Sequence, residues 1–405
     1  MTNIREDENI FMFLCEKWIL INKNHIWNRI NQRINIIADF DRYQRARTIS
    51  EGQRTENIHR NIYGAVPYDY NLVNLTSTQR NPLGYINASV AEFPEIGRHY
   101  IITGAAQDTQ IPFFWQMVFE QKSPAIVMLL EDVELGIEKS DKYFPNNTRE
   151  ELKFGIYDIT CKEFVKRNIL EYRLLEVSVG NETHQVHHYK FHGWTEFNLP
   201  KYEDFMAFYN TMKEVGVPLL AVMKNNCMSS FFKKYHHTPP TNAPIIQCST
   251  GGARCGVFII IDILINLIDN RIKNSYSIEW WMLKVRSKRN HSALTNQQHS
   301  FIYDIIIKYI RTRHNQLRHL EKYLEAHANT VRMIDSTNTE DVDKFIKPRD
   351  WIVDFDERDR LIGKLQFRKR LKIEKDQVSE QKLVHLKSQL HLFQDTYKYE
   401  SYVLQ

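Results

Sequence analysis

A short apolar run, Ala243–Gln247, passes directly into Cys248, a turn containing Gly251 and Gly252, Arg254, and then a long apolar stretch from Val257. Residues of those kinds in that order predict a strand, a tight turn and a buried helix. A strand-to-helix turn aims backbone N–H groups inward, and the helix that follows adds the positive end of its dipole. Together they form an anion cradle of phosphate size, here offered by Ser249, Thr250, Gly251, Gly252 and Ala253. A cysteine at its base has its thiol pKa lowered into the range of roughly 3.5–7.5 seen for activated cysteines. Arg254 adds a planar fork that binds two phosphate oxygens. A nucleophile and an anion clamp on one turn imply phosphoryl transfer to sulfur.

The chain around this turn predicts an α/β fold with a mixed central sheet flanked by helices. Phe11, Leu14, Trp18 and Ile21, then Ile30, Ile34 and Ile37, recur at helical spacing. Residues 51–82 lose that period and read as a long loop with short strands. From Tyr85 onward short strands alternate with helical stretches. Expected strands are Tyr100–Thr103, Ala125–Leu130, Leu152–Tyr157, Ile169–Val179, Gln185–Gly193 and Ala243–Gln247. Expected helices are Phe113–Gln121, Tyr202–Val215, Val257–Ile272, Ile278–Arg289 and Asn296–Leu324. The texture changes near Ala326, so we expect one domain over 1–325 and a partly helical extension over 326–405. In the extension Val378, Leu383, Leu386, Leu390 and Phe393 share a stripe.

Composition narrows the classes. The net charge of +5 lacks the concentrated basic field of a nucleic-acid binder. Five widely spaced cysteines exclude a disulfide scaffold and favour a reducing compartment. The most apolar run, Val257–Ile268, is twelve residues long, short of the ~20 that cross a bilayer. A soluble cytoplasmic protein is expected.

The turn resembles the signature loop of the protein tyrosine phosphatases, HCSxGxGR followed by Ser or Thr and Gly. Other blocks agree in order over about residues 10–325. NIHRNIYGAVPYDYNLVNL (57–75) is similar to the phosphotyrosine-recognition loop, and GYINAS (84–89) to the DYINAS block. Residues 113–145 follow the family's FWRMVWEQ to YWP pattern, with Trp115, Tyr143 and Phe144 as core residues. HHYKFHGWTEFNLP (187–200) stands in the place of the general-acid loop, and TNQQHSFIYDII (295–306) in that of the glutamine loop.

The resemblance implies roles residue by residue. Cys248 is the nucleophile, Arg254 the phosphate clamp, Glu196 the general acid and Gln298 a water-positioning residue. Loop residues 249–253 bind phosphate, His59 stacks on the substrate ring and Asn61 holds the substrate backbone. Lys139 contacts the acid loop. No metal or other cofactor is required, since arginine and backbone dipoles carry the charge stabilisation. The partners are phosphotyrosine proteins.

Departures from the pattern fall mostly on proton transfer and hydrolysis: Thr195 and Glu196 replace Pro-Asp, Cys255 replaces the hydroxyl residue, and Leu294 replaces a glutamine. Gln247 stands where the family has histidine, and Ala253 replaces a glycine, which strains the turn if that backbone needs glycine. Two functions follow: a phosphatase with weakened catalysis, or a phosphotyrosine binder without turnover. A third is a fold kept as scaffold for the extension. The departures and the Asn/Ile-rich composition also resemble the divergent polydnavirus members of the family, which implies host proteins of a parasitised insect, its cell cytoplasm and suppression of its immunity. Cys255, seven positions after Cys248, is a second thiol on the same loop, able to trap an oxidised nucleophile as a disulfide.

Overall fold

Parallel strands buried on both faces read as unbroken apolar runs, and three such runs form the middle of the sheet. The computed structural model describes residues 2–23, 25–44, 48–61, 65–196, 198–214, 241–270, 277–290, 292 and 295–314. The stretch after 314, and with it the expected extension and its apolar stripe, lies outside the described residues.

In chain order the elements are α1 (Thr2–Lys23), α2 (Trp27–Gln44), α3 (Ser50–Gln53), β1 (Leu72–Asn74), β2 (Tyr85–Phe93), β3 (Arg98–Thr103), α4 (Ile111–Glu120), β4 (Ala125–Met128), β5 (Val133–Glu134), β6 (Ile137–Glu138), β7 (Glu151–Phe154), β8 (Tyr157–Arg167), β9 (Leu170–Val179), β10 (Glu182–Phe191), α5 (Tyr202–Glu214), β11 (Ile245–Gln247), α6 (Ala253–Asp269), α7 (Ile278–Lys288) and α8 (Asn296–Arg313). Nine strands form one sheet in the order β1-β2-β3-β11-β4-β10-β9-β8-β7, and β5 and β6 form a separate hairpin. Strand β11 runs parallel to β3 and β4, and β10 parallel to β4; the flanking pairs are antiparallel. The sheet is mixed, as expected.

The described residues fall into two units. The sheet unit is Thr48–Gly256 with Lys288–Ala293, and the helical unit is Met1–Arg47 with Val257–Ser287 and Leu294–Gln405. In the sheet unit, Phe114, Trp115 and Met117 of α4 pack in one cluster with Ile126, Met128, Tyr143 and Ile245. The Trp115 indole donates to the Tyr143 carbonyl at 2.9 Å, which satisfies its polar atom inside that core.

One expected strand is two. Leu152–Tyr157 turns at Gly155, whose φ is +68°, so that β7 and β8 pair as a hairpin with Phe154 opposite Tyr157. The second half of β8, KEFVKR, has mostly exposed charged side chains, which hid the strand from an apolar pattern.

In the helical unit a buried ion pair ties α1 to α7. Lys17 Nζ donates to Glu279 Oε2 at 2.9 Å, and Tyr303 Oη donates to Glu279 Oε1 at 2.9 Å. His299 lies 3.6 Å from the same carboxylate, its own pKa lowered by burial. Burial opposes ionisation of Glu279, but Lys17 and His299 outweigh it and hold the carboxyl below its usual range. Removing one partner of such a pair leaves an uncompensated charge and costs about 3–5 kcal/mol. We expect Lys17→Met to lower the urea midpoint of unfolding accordingly. The deficit should shrink in acid, because a depressed carboxyl contributes less stability as pH falls through its folded pKa. An unchanged midpoint at neutral pH would remove this pair from the account.

Candidate functional site

Ligands in open α/β sheets bind at the carboxyl ends of parallel strands, and Cys248 follows β11 in the middle of the sheet. Three backbone bonds fix the turn. Cys248 N–H donates to the Thr103 carbonyl at 3.4 Å, Ala105 N–H to the Ser249 carbonyl at 3.1 Å, and Gly251 N–H to the Cys248 carbonyl at 3.3 Å. Gly251 has φ +69°, and a Cβ there would lie 2.5 Å from the Thr103 carbonyl carbon. Only glycine fits. The strain expected at Ala253 does not occur: Ala253 opens α6 and is absent from the residues with positive φ. The turn needs its glycine two positions earlier.

Cys248 is 2% exposed. Burial pushes its thiol pKa up. A hydrogen bond from the Cys255 thiol, the Arg254 charge and the N–H groups of Cys255 and Gly252 outweigh burial and bring it down to about 6. The nucleophile is therefore a thiolate at neutral pH. Cys255 shifts the other way: burial and the neighbouring Cys248 raise its pKa well above the ordinary value, so it stays a thiol. Its single S–H has two acceptors, the Cys248 sulfur and the Ile246 carbonyl, the latter 3.4 Å from the Cys255 sulfur.

Arg254 is buried, and Glu134 orients it. Nη1 donates to Glu134 Oε1 at 2.6 Å and to the Trp194 carbonyl at 2.8 Å, and Nη2 donates to Glu134 Oε2 at 3.3 Å. A guanidinium has five N–H donors. Among the described residues these bonds use three, leaving Nε–H and one Nη2–H, the edge that matches two phosphate oxygens. Glu134 also accepts the Glu196 backbone N–H at 2.9 Å, so one carboxylate fixes both the clamp and the acid loop.

Trp194 anchors the acid loop, buried edge-on against Phe191 and Phe205. The Glu196 side chain is partly exposed, and Lys139 Nζ donates to its Oε2 at 2.8 Å. The structure thus brings Cys248, Arg254 and the backbone of Glu196 into one connected network, with Lys139 on the acid loop as the resemblance implies.

The other sequence-derived positions have these surroundings. His59 is exposed on a single 3-10 turn, Ile58–Arg60. The Asn61 amide is spent inside the fold: Nδ2 donates to the Gly52 carbonyl at 2.7 Å, and Oδ1 accepts from Tyr85 Oη and from Asn87 Nδ2. It braces the recognition loop against β2. Gln298 lies in the helical unit, where its Oε1 accepts the Thr295 N–H at 3.3 Å in a capping box that starts α8. Leu294 is outside the described residues. Gln247 accepts from Tyr143 Oη at 2.8 Å and donates to the Gly104 carbonyl at 3.2 Å. The Tyr143 proton is thereby committed, so His188, 2.9 Å from the same hydroxyl and kept neutral by burial, donates through Nε2.

Sequence reasoning missed two residues. Glu134 carried no signal in the sequence: the structure buries it while Val133 and Leu135 beside it are exposed, an inversion of the usual pattern. Arg289 is fully buried behind the turn. Its Nε donates to the Gly251 carbonyl at 3.1 Å, Nη2 to the Thr250 carbonyl at 3.4 Å and to Asn87 Oδ1, and Nη1 to Ser89 Oγ at 3.3 Å. Drawing those carbonyls backward leaves the loop N–H groups facing the pocket. The polar Asn87 and Ser89 in a buried strand were its signal.

Among the described residues no cluster of His, Cys, Asp and Glu is arranged to hold a metal ion, and no helix is long and apolar enough to cross a membrane.

Alkylation of Cys248 should titrate with a midpoint near pH 6. Cys255→Ala removes a donor to the thiolate, so its midpoint should move upward; an unmoved midpoint would dismiss that donor. Gly251→Ala should cost about 10²-fold in turnover or oxyanion binding, the scale of a misplaced reacting group, read with an aryl phosphate or vanadate. Wild-type behaviour would show that the loop tolerates a side chain there.

The family profile "Protein-tyrosine phosphatase" matches residues 57–308. Protein sdf-9 of Caenorhabditis elegans is 33% identical over 332 residues, covering 82% of this chain and 96% of its own length. Tyrosine-protein phosphatase non-receptor type 2 of Mus musculus is 30% identical over 260 residues, 62% of this chain and 58% of its own. Tyrosine-protein phosphatase Lar-like of Caenorhabditis elegans is 27% identical over 293 residues, 70% of this chain and 12% of its own.

Proposed function

Since the chain belongs to the protein-tyrosine phosphatase family, we propose that it hydrolyses phosphotyrosine in proteins through a cysteinyl-phosphate intermediate, with weakened catalysis. The observation that carries this reading is a buried Cys248 with a pKa of about 6 beside an Arg254 whose phosphate-facing edge is open. The thiolate attacks phosphorus. Arg254 and the loop N–H groups of residues 249–253 take up the charge on the equatorial oxygens. Glu196 donates the proton to the leaving phenolate, a step worth about 10²–10⁴-fold. Water then releases phosphate, with Gln298 as its positioning residue.

A second reading is a phosphotyrosine-binding protein without turnover. Two observations favour it. The Glu196 carboxylate is paired with Lys139, and the Gln298 carbonyl is committed to its own helix cap. Under either reading the partners are phosphotyrosine proteins. The polydnavirus likeness, an insect host, immune suppression and a cytoplasmic location rest on sequence resemblance and composition alone.

A burst experiment separates the two. Purified protein is mixed with a chromogenic aryl phosphate near pH 6, with phenol and phosphate followed separately and Cys248→Ser alongside. Steady release of both products is the expected result. One equivalent of phenol without phosphate places the fault in hydrolysis. Release no faster than Cys248→Ser, with phosphopeptide affinity that Arg254→Ala abolishes, would replace the first reading by the second.

A further inference from the structure

Exposed apolar side chains cluster on the hairpin that holds the phosphate clamp. Of the nine large apolar residues that the described chain leaves exposed, three are Val133, Leu135 and Ile137 of β5–β6, and Leu135, at 78%, is the most exposed of all. Scattered singly, such residues need no account; gathered in one patch they mark an interaction surface. The turn adds a second observation. Leu135 and Gly136 both have positive φ, +53° and +76°, a conformation that asparagine and glycine adopt readily and leucine rarely does. An apolar side chain is thus held at a tip whose backbone favours a small polar one.

The hairpin's register puts this surface beside the pocket. Glu134 lies opposite Ile137 in the β5–β6 pair, so the two side chains project from one face. On that face Glu134 is buried and accepts from Arg254 Nη1 at 2.6 Å, while Ile137 stays 53% exposed. Lys139, two residues further on, donates to Glu196 at 2.8 Å. Residues 131–138 hold no basic side chain, and the exposed Glu138 has no ion-pair partner among the described residues. An apolar rim with a free carboxylate suits an apolar and a basic side chain and repels an acidic one. We propose that the β5–β6 hairpin is a docking surface for the phosphoprotein itself, selecting segments with apolar and basic residues beside the phosphotyrosine over segments with acidic ones. With the phosphate on Arg254, the residues flanking the phosphotyrosine come against Leu135 and Ile137. The proposal rests on the phosphotyrosine reading of the pocket, and holds with or without turnover.

The test reads binding alone. Full-length Cys248→Ser, which lacks the nucleophile, is titrated into fluorescent phosphotyrosine peptides that differ only in their flanks, filled with leucine and lysine, with alanine, or with glutamate. The leucine–lysine peptide should bind about tenfold more tightly than the glutamate peptide, the scale of one partly buried apolar side chain with a surface charge contact. Leu135→Asn keeps a residue that tolerates positive φ, and Ile137→Thr keeps a β-branched strand residue. Added to Cys248→Ser, each should cut that ratio about threefold. Free phosphotyrosine, which has no flank, should bind all these proteins alike. Equal affinity for the peptides, preference for glutamate, or an advantage that survives both substitutions would overturn the proposal. So would a dimer in sedimentation that Leu135→Asn dissociates, since the hairpin would then belong to a second copy of the chain. Failure of free phosphotyrosine and of every peptide to bind would remove the phosphotyrosine reading as well, so the two failures are distinguishable.

Discussion

Keeping a negative charge on a sulfur that is 2% exposed is the constraint around which the site is arranged. Burial alone favours the neutral thiol. Against it stand a thiol donor, two backbone N–H groups and a guanidinium, each delivered by the same short turn. None would face the sulfur if the turn were relaxed, so the closeness of Gly251 to the Thr103 backbone is an electrostatic requirement as much as a steric one. The sheet supplies the rigidity: β11 is held on both sides by parallel neighbours.

Two arginines divide the work. Arg254 faces the pocket and Arg289 lies behind the loop. The front guanidinium is oriented by Glu134, which also receives the acid loop through the Glu196 N–H. The rear one takes two loop carbonyls and joins them to Asn87, which in turn bonds Asn61 of the recognition loop. A chain of polar contacts therefore runs from recognition loop to signature loop without passing through solvent-exposed side chains of the pocket. Where the family pattern has histidine, Gln247 continues a wire from His188 through Tyr143 to the Gly104 carbonyl. A glutamine has no proton to lose in the working range, so that wire sets a fixed dipole beneath the nucleophile.

What could be read in the sequence was what is local. Cys248, its glycines and Arg254 sit within one turn, where residue order alone specifies geometry. The central strands were legible because parallel burial leaves continuous apolar runs. Glu134 and Arg289 were not, because their partners lie 120 and 38 positions away and only the sheet brings them together. The internal role of Asn61 was hidden for another reason. An amide serves a substrate or its own fold equally well by composition, and here four internal contacts claim it. The end of β8 was lost because its charged side chains face water and carry no apolar alternation.

The sheet unit is discontinuous: its last piece, Lys288–Ala293, follows most of α6 and α7 in the chain. That piece carries Arg289. As synthesis proceeds from the amino end, Cys248 and its turn are made before the residue that binds the loop's rear carbonyls. The rear bonds of the cradle can form only after the helices between have been translated. A ribosome stalled after Gly256 would hold a complete signature sequence without the means to keep it in shape.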